Sequence, residues 1–415
     1  MKRRRVMITG LGTFNPLGHD VESTWQKVAS GESGIGPITS FDASDYKTQI
    51  AGEVKEFDPT SHFGRKEARR LSRVTQLALA AAEQAISDAN LIVTDSNRDQ
   101  IGVIIGSGMG SMEPTISNTL TLTSRGPRRV SPFFVPMMLA DTPAATVSIT
   151  YGLCGPNMSV ATACATGNNA LGEAAVTIQR GAADIMLAGG TEACILPLAF
   201  AGFGIMGAIS TRNDAPEQAS RPFDKERDGF VVSEGAALLV LEELEHAQAR
   251  KAPIYGEFLG YGSSSDAYHI SQPQADGAGA AKAMLAALHD AGLEVGEIDY
   301  IKAHGTSTKL NDHAETSADK AVMGEHAYHV PVSSTKSTHG HLLGAAGSLE
   351  AIICLKCVQD NLIPPTINQH TPDPACDVDY VPNQARPSDL QFVMSNGFGL
   401  GGHNATIILG KDTDG

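Results

Sequence analysis

Short apolar runs rich in β-branched residues alternate along the chain with longer alanine-rich stretches whose apolar positions recur every three to four residues. Runs of the first kind read as strands buried on both faces and stretches of the second kind as helices, the pattern of an α/β protein. The strands fall at VMIT (6–9), IGVII (101–105), DIMLA (184–188), ALLVLE (237–242), YIKA (300–303), PVSS (331–334), QFVM (391–394) and ATIIL (405–409). Helices are predicted over 75–90, 168–180, 279–291 and 342–359. Gly181 and Gly292 follow two of them and act as stop signals, because glycine enters the left-handed conformation that ends a helix. Segments 107–137 and 205–232 are expected to be long irregular loops, a length usually tied to function.

The order of elements repeats weakly. VMITGLG opens one series and IYGEFLGYG (254–262) a second; ATACATG (161–167) then parallels SSTKSTHGH (333–341), and DIMLAGG parallels QFVMSNGFGLGG. The polar stretch EHAQARKAP places the boundary near 245–255, giving a half over 1–250 and a half over 251–415.

Among the 415 residues 42% are hydrophobic, which supports a sizeable core and excludes disorder as the main state. With 31 basic and 46 acidic residues the net charge is −15, and only 5% are aromatic, so the chain lacks both the basic surface and the stacking platform of a nucleic-acid binder. Six cysteines in so long a chain are no disulfide scaffold, and Cys354 with Cys357, although spaced CxxC, sit in the apolar run LEAIICLKCV and read as buried helix thiols. Met1-Lys-Arg-Arg-Arg5 begins like a signal peptide, but glycine interrupts the apolar run behind it after VMIT. No run approaches the roughly 18 apolar residues of a membrane span. A cytoplasmic, reducing setting is expected.

Three turns carry chemistry. Cys164 stands where a short strand turns into a small-residue helix, VATACATGNNALGEAAVT, so the helix dipole is expected to favour its thiolate and free backbone N–H groups to receive an oxyanion. Its rival reading is a buried structural cysteine. His304 in YIKAHGTSTKLND and His341 in SSTKSTHGHLLGAAGSLE occupy equivalent turns at strand ends; either alone would read as structural, but a thiol with two imidazoles points to covalent acyl chemistry. Lys336 and Glu350 bracket His341 as candidates for setting its protonation, while Asp312 and Glu315 follow His304. The runs GSGMG (106–110) and Gly397–Gly402 are glycine-rich, but the latter leads into a strand, whereas a dinucleotide fingerprint requires a helix. The latter reads better as a mobile loop using Phe398 as a gate or backbone oxyanion donor.

The chain resembles the β-ketoacyl-acyl-carrier-protein synthases, elongating condensing enzymes of dissociated fatty acid synthesis, and most closely their synthase II branch. The motifs run nearly end to end: VMITGLGTFNPLG, GPRRVSPFFVPMMLAD, TACATG, STRNDAPEQASRPFDKERDGFVVSEGAA, SSSDAYH, AHGTST, SSTKSTHGHLLGAAGSLEA, PPTIN and SNGFGLGGHNA. The resemblance implies a thiolase-like α/β fold, two similar halves in a five-layer αβαβα arrangement, normally a homodimer. It makes Cys164 the acyl-accepting nucleophile, His304 and His341 the catalytic imidazoles, and Lys336 and Glu350 supports around the second histidine. The Cys164 and Phe398 N–H groups would form the oxyanion hole, Phe398 the gate, Thr306 and Thr308 the contacts to the phosphopantetheine arm; Met109 and Phe203 would line the acyl pocket, and Gly399 joins the substrate-binding set. The implied reaction is a decarboxylative condensation of acyl-enzyme with malonyl-carrier, with no metal or nucleotide cofactor. The implied partner, an acidic acyl carrier protein, would meet local positive charge at Arg65, Lys66, Arg69 and Arg70, with Arg73 in the same run, and at Arg128 and Arg129.

Two motifs depart from the family's usual form. The second histidine motif, usually KSMTGH, reads Lys336-Ser337-Thr338-His339-Gly340-His341, adding the imidazole of His339. The usual SFGFGG has Gly397 and Leu400 in place of its serine and second phenylalanine. A ketosynthase of a type II polyketide or polyene pathway is the alternative, since KLNDHAET fits both. A biosynthetic thiolase would need a second cysteine in the glycine loop, an initiating synthase normally has asparagine in place of His341, and a catalytically dead chain-length partner lacks the nucleophile. A non-enzymatic carrier-binding scaffold would show six uniformly slow thiols, whereas the enzyme is expected to show a single fast one.

Overall fold

In the computed structural model, which describes residues 3–412, the apolar runs assemble into a sheet of ten strands. They are β1 Val6–Phe14, β2 Ile101–Gly106, β3 Asn157–Met158, β4 Ile185–Glu192 and β5 Gly235–Glu243, then β6 Gly256–Ser265, β7 Tyr300–Lys302, β8 Val332–Ser333, β9 Phe392–Gly399 and β10 His403–Gly410. The spatial order is β3-β2-β4-β5-β1-β6-β10-β9-β7-β8. Within the first five, β1–β5 and β5–β4 are antiparallel, while β4–β2 and β2–β3 are parallel. The second five repeat the scheme: β6–β10 and β10–β9 antiparallel, β9–β7 and β7–β8 parallel. The seam is a short antiparallel pairing, Val6↔Phe258 to Ile8↔Gly256. The weak echo in the sequence is therefore a duplicated topology.

Eight helices matter here: α1 Pro59–Ala68, α2 Arg73–Asp88, α3 Met112–Arg125, α4 Thr142–Tyr151, α5 Thr166–Gln179, α6 Ala278–Ala291, α7 Lys309–Met323 and α8 Ala346–Asp360. Helices α2 and α4 cover one outer face, α6 and α7 the other, and α5 packs on α8 between the two halves of the sheet. That gives five layers. The two central helices are buried almost all round, and their apolar residues join strands of both halves in one core. Close approach explains Gly167, where a Cβ would stand 2.5 Å from the Ser348 nitrogen of α8.

The expected loop 107–137 contains α3, whose Ser/Thr-rich sequence buries only Pro114 and leaves Leu120 and Leu122 exposed, so it carries no amphipathic stripe toward the core. Segment 205–232 is largely irregular and is tied down at Arg227, which bonds Asp373 at 2.6 Å and pairs with Asp312 at 3.4 Å. In the basic start of the chain, Met1 and Lys2 lie outside the described residues. Arg3, Arg4 and Arg5 hold Asp290, Asp184 and Glu257 at 2.5–2.8 Å. No helix among the described residues is long and apolar enough to cross a membrane.

Candidate active site

Cys164 sits in the 3₁₀ turn Ala163–Ala165, immediately before α5. Ala163 has φ +50°, a left-handed conformation that a β-carbon disfavours, so the turn carrying Cys164 is locally strained. Gly399 lies over this turn: a Cβ there would approach the Thr162 carbonyl at 2.6 Å and the Cys164 nitrogen at 3.1 Å. Desolvation pushes the Cys164 thiol up to about 11, with Glu192 adding to the rise; Lys336 and the Leu400 N–H act in the opposite sense. The expectation of a resting thiolate fails here, because burial outweighs the favourable end of the helix.

His304 follows β7 and His341 follows the short helix Lys336–His339; both are buried. Their rings meet edge to face with centroids 5.3 Å apart, and the Cys164 sulfur and one nitrogen from each ring all lie within 4.8 Å of one another. The Leu343 N–H donates to His341 Nδ1 at 3.3 Å, and Lys336 Nζ lies 3.4 Å from His304 Nδ1. Each Nδ1 is thus an acceptor, which leaves the proton on Nε2 of both rings. The buried His341 Nε2 has no protein partner and is free to donate. Burial, and after it Lys336, holds both imidazoles well below their ordinary value, so they are neutral N–H donors. Two such donors beside a thiol suit an oxygen anion better than a metal cation.

Lys336 and Glu350 were expected around His341, yet the direct contacts of Lys336 run to His304, and Glu350 reaches that histidine only through Lys336. Lys336 Nζ donates to the His304 carbonyl at 2.6 Å and to Glu350 Oε1 at 2.5 Å. Glu315 receives the His304 and Gly305 N–H groups at 2.6 and 2.7 Å, fixing the turn from behind. Two buried charged residues lie outside the marked motifs, and the extra imidazole of His339 proves structural. Lys302, fully buried in β7, bonds Glu350 Oε1 at 3.1 Å. Glu192, at the end of β4, gathers the Gly108 and Gly344 N–H groups at 2.9 and 3.0 Å, joining the first half's loop to the turn after His341. His339 is internally satisfied by Thr335 Oγ1 and the Gly340 carbonyl. A charged residue ending an apolar strand, as in YIK and AGGTE, was the available signal for the first two.

These groups open onto a cavity of about 760 Å³ lined by Cys164, His304, His341, Phe398 and Gly399, with Thr306, Thr308, Met109 and Phe203. The Thr306 and Thr308 hydroxyls lie 2.9 Å apart. Phe398 belongs to β9, paired with Asn404, and its ring stands 5.7 Å from the His304 ring; it is a strand residue, and the turn proper is Leu400–Gly402. Met206 and Phe230 also line the cavity and were not singled out.

Arg65, Lys66, Arg69, Arg128 and Arg129 are exposed, and none lines the cavity. Arg70 sits over the Phe133 ring at 5.1 Å, bringing the end of α1 beside the segment that follows Arg129. Arg73 turns inward to Glu234 at 2.7 Å and is not part of that surface. Cys354 and Cys357 are buried free thiols in α8.

Residues 3–247 match the family model "Beta-ketoacyl synthase, N-terminal domain" and residues 255–370 "Beta-ketoacyl synthase, C-terminal domain". The chain is 49% identical over 411 residues to 3-oxoacyl-[acyl-carrier-protein] synthase 2 of Synechocystis sp., covering 99% of each. It is 49% identical to the protein of that name from Coxiella burnetii over 100% of both chains. Among solved structures, a type II PKS ketosynthase in complex with its acyl-carrier protein superposes with TM-score 0.93 at 35% identity, over 99% of this chain and 100% of that one. A β-ketoacyl synthase from Burkholderia phymatum gives 0.91 at 38% identity, with the same coverage. With both family models matched in order around the Cys-His-His cavity, the chain belongs to the β-ketoacyl synthase family.

Proposed function

We propose that this chain is a 3-oxoacyl-[acyl-carrier-protein] synthase, an acyltransferase that extends fatty acyl chains by two carbons. The observation that carries the reading is one cavity in which a thiol faces two neutral imidazoles. The Cys164 sulfur attacks the acyl thioester, its proton ends on the departing phosphopantetheine thiol, and the Cys164 and Phe398 N–H groups receive the oxyanion. Malonyl-carrier then enters, its arm held by Thr306 and Thr308. The bond to the carboxylate breaks, carbon dioxide leaves, and the electron pair passes to a thioester enolate whose oxygen takes the Nε2–H donors of His304 and His341. The enolate carbon attacks the acyl-cysteine, the C–S bond breaks, and the Cys164 sulfur takes up the one proton the overall reaction consumes, from solvent, as the 3-oxoacyl-carrier forms. No step calls for a metal or nucleotide.

The carrier is the proposed partner, docked on Arg65, Lys66, Arg69, Arg70, Arg128 and Arg129. Exposed apolar side chains such as Leu120, Ile149 and Ile205 support a homodimer. We place the enzyme in the cytoplasm and divide it into halves 1–250 and 251–415. The polyketide alternative draws support from its structural neighbours, which include the ishigamide ketosynthase/chain length factor at TM-score 0.92. Intact-protein mass after incubation with acyl-carrier tests the proposal. An acyl adduct forms on wild type, is absent in Cys164→Ala, and disappears on adding malonyl-carrier as the longer 3-oxo product appears. Repeating it across chain lengths separates fatty acyl from polyketide use. No adduct with any acyl group would overturn the assignment.

A further inference from the structure

The mechanism above makes no use of the buried ammonium on β7. Lys302 is fully buried at the end of β7, and its ammonium reaches Glu350 Oε1 and the Ala303 carbonyl, each at 3.1 Å. Burying an ammonium is costly, and a buried ion pair is often replaceable by apolar residues without loss of stability, so packing alone does not account for a lysine here. What distinguishes the arrangement is sharing. Lys336 takes the same oxygen at 2.5 Å, while the buried Glu350 Oε2 has no partner. Two ammonium groups thus lean on a single carboxylate oxygen, and the nearer one contacts His304.

We propose that Lys302 is a positioning residue: by competing for Glu350 Oε1 it holds Lys336 against His304, and it adds a second positive charge behind the imidazoles. This rests on the condensing reaction proposed above. The charge acts where the malonyl half-reaction needs it, since decarboxylation places an anion on the enolate oxygen that His304 and His341 hold. Acyl transfer to Cys164 relies on the backbone N–H groups of Cys164 and Phe398 and depends less on it. Burial first, then Lys336, His341 and Lys302, hold His304 neutral, and Lys302 also disfavours the charged form of His339. The titratable and charged groups around Lys302 are Tyr300 on its own strand, His304 after it, Lys336 and His339 before α8, and Glu350, Cys354 and Cys357 on α8.

The test separates the half-reactions in the full-length enzyme. Lys302→Met keeps the aliphatic stem and removes the charge. Malonyl-carrier decarboxylation should fall about tenfold, equivalent to ~1.4 kcal/mol, while Cys164 acylation stays within about twofold and reports an intact fold. The acid limb of decarboxylation should move to higher pH, because protonating His304 becomes easier. Lys302→Arg should recover most of the lost rate. If Lys302→Met does not fold, Lys302→Gln takes its place with the same readouts. Equal loss in both half-reactions with an unmoved acid limb, or wild-type behaviour in both, would overturn the inference. A wild-type enzyme inactive in both would instead refute the condensing reading itself.

Discussion

The two halves share one strand order but not one chemistry. In the first, the inward faces of β2, β4 and α5 carry Ile104, Met186 and Leu171, and it brings to the site a thiol on a strained turn, an apolar lining of Met109, Phe203, Met206 and Phe230, and one buried carboxylate, Glu192. In the second, the equivalent β7, β9 and the approach to α8 bury Lys302, Ser395, Asn396, Lys336, His339, His341 and Glu350. The duplicated scaffold thus supplies two turns aimed at one cavity, and the difference in buried charge divides the labour. On the reaction proposed above, the apolar half would hold the acyl group and the polar half would manage the anion. The resting sulfur is a thiol because burial, with Glu192 of the same half adding to the rise, outweighs the pull of Lys336 from the other half.

Breaking the comparison at the nucleophile gives the largest expected effect. Cys164→Ala should abolish the acyl adduct and lower condensation by about six orders of magnitude, the scale of a removed covalent nucleophile. Removing a donor from the polar half should be more selective. His341→Ala is expected to slow malonyl-carrier decarboxylation about 10²–10³-fold, the scale of a lost oxyanion donor, with acylation of Cys164 affected far less. Stopped-flow measurement of each half-reaction checks this, and equal loss in both would erase the division of labour. On the surface, Arg65→Glu with Arg69→Glu should raise the KM for carrier substrates several-fold, with kcat kept and the difference shrinking at high salt.

The smallest expected effect sharpens the comparison through pH. His339 is held well below its ordinary value of 6.5 by burial and then by Lys302 and Lys336. The unfolded chain therefore binds the extra proton first, and this residue's contribution to stability is full above about pH 6.5 and lost as pH falls below it. Relative to His339→Asn, the wild type should lose up to about 1.4 kcal/mol per pH unit in that window. Urea unfolding between pH 7.5 and 5 reads the slope, and parallel curves would show that His339 does not titrate out of register with the unfolded chain.

Most of the scaffold was legible because it rests on periodicity. The eight predicted strands all form, and the predicted helices appear with ends shifted by a few residues, the last one starting at Ala346 after a 3₁₀ turn. Helix α7 was hidden because it buries Asp312, Glu315 and Asp319 where an apolar stripe was sought, and α3 because its polar sequence packs little against the core. At the site, residues lying in turns after strands were readable one by one, and the cavity brings Cys164, His304 and His341 together. Partnerships were not readable. That Lys336 attends His304, that Arg73 serves Glu234 and that the thiol is desolvated all depend on contacts distant in sequence, which no local pattern encodes.

The burial of the Cys164 sulfur decides how the protein meets reactive chemicals. Of its six thiols, Cys154 is the exposed one. A small alkylating agent or peroxide at neutral pH should therefore mark Cys154 first, and a simple rate ranking would not single out the proposed nucleophile Cys164. Electrophiles that select Cys164 must first be accepted by the cavity as ligands. The warhead can then be mild, because shape supplies the discrimination that thiol acidity does not.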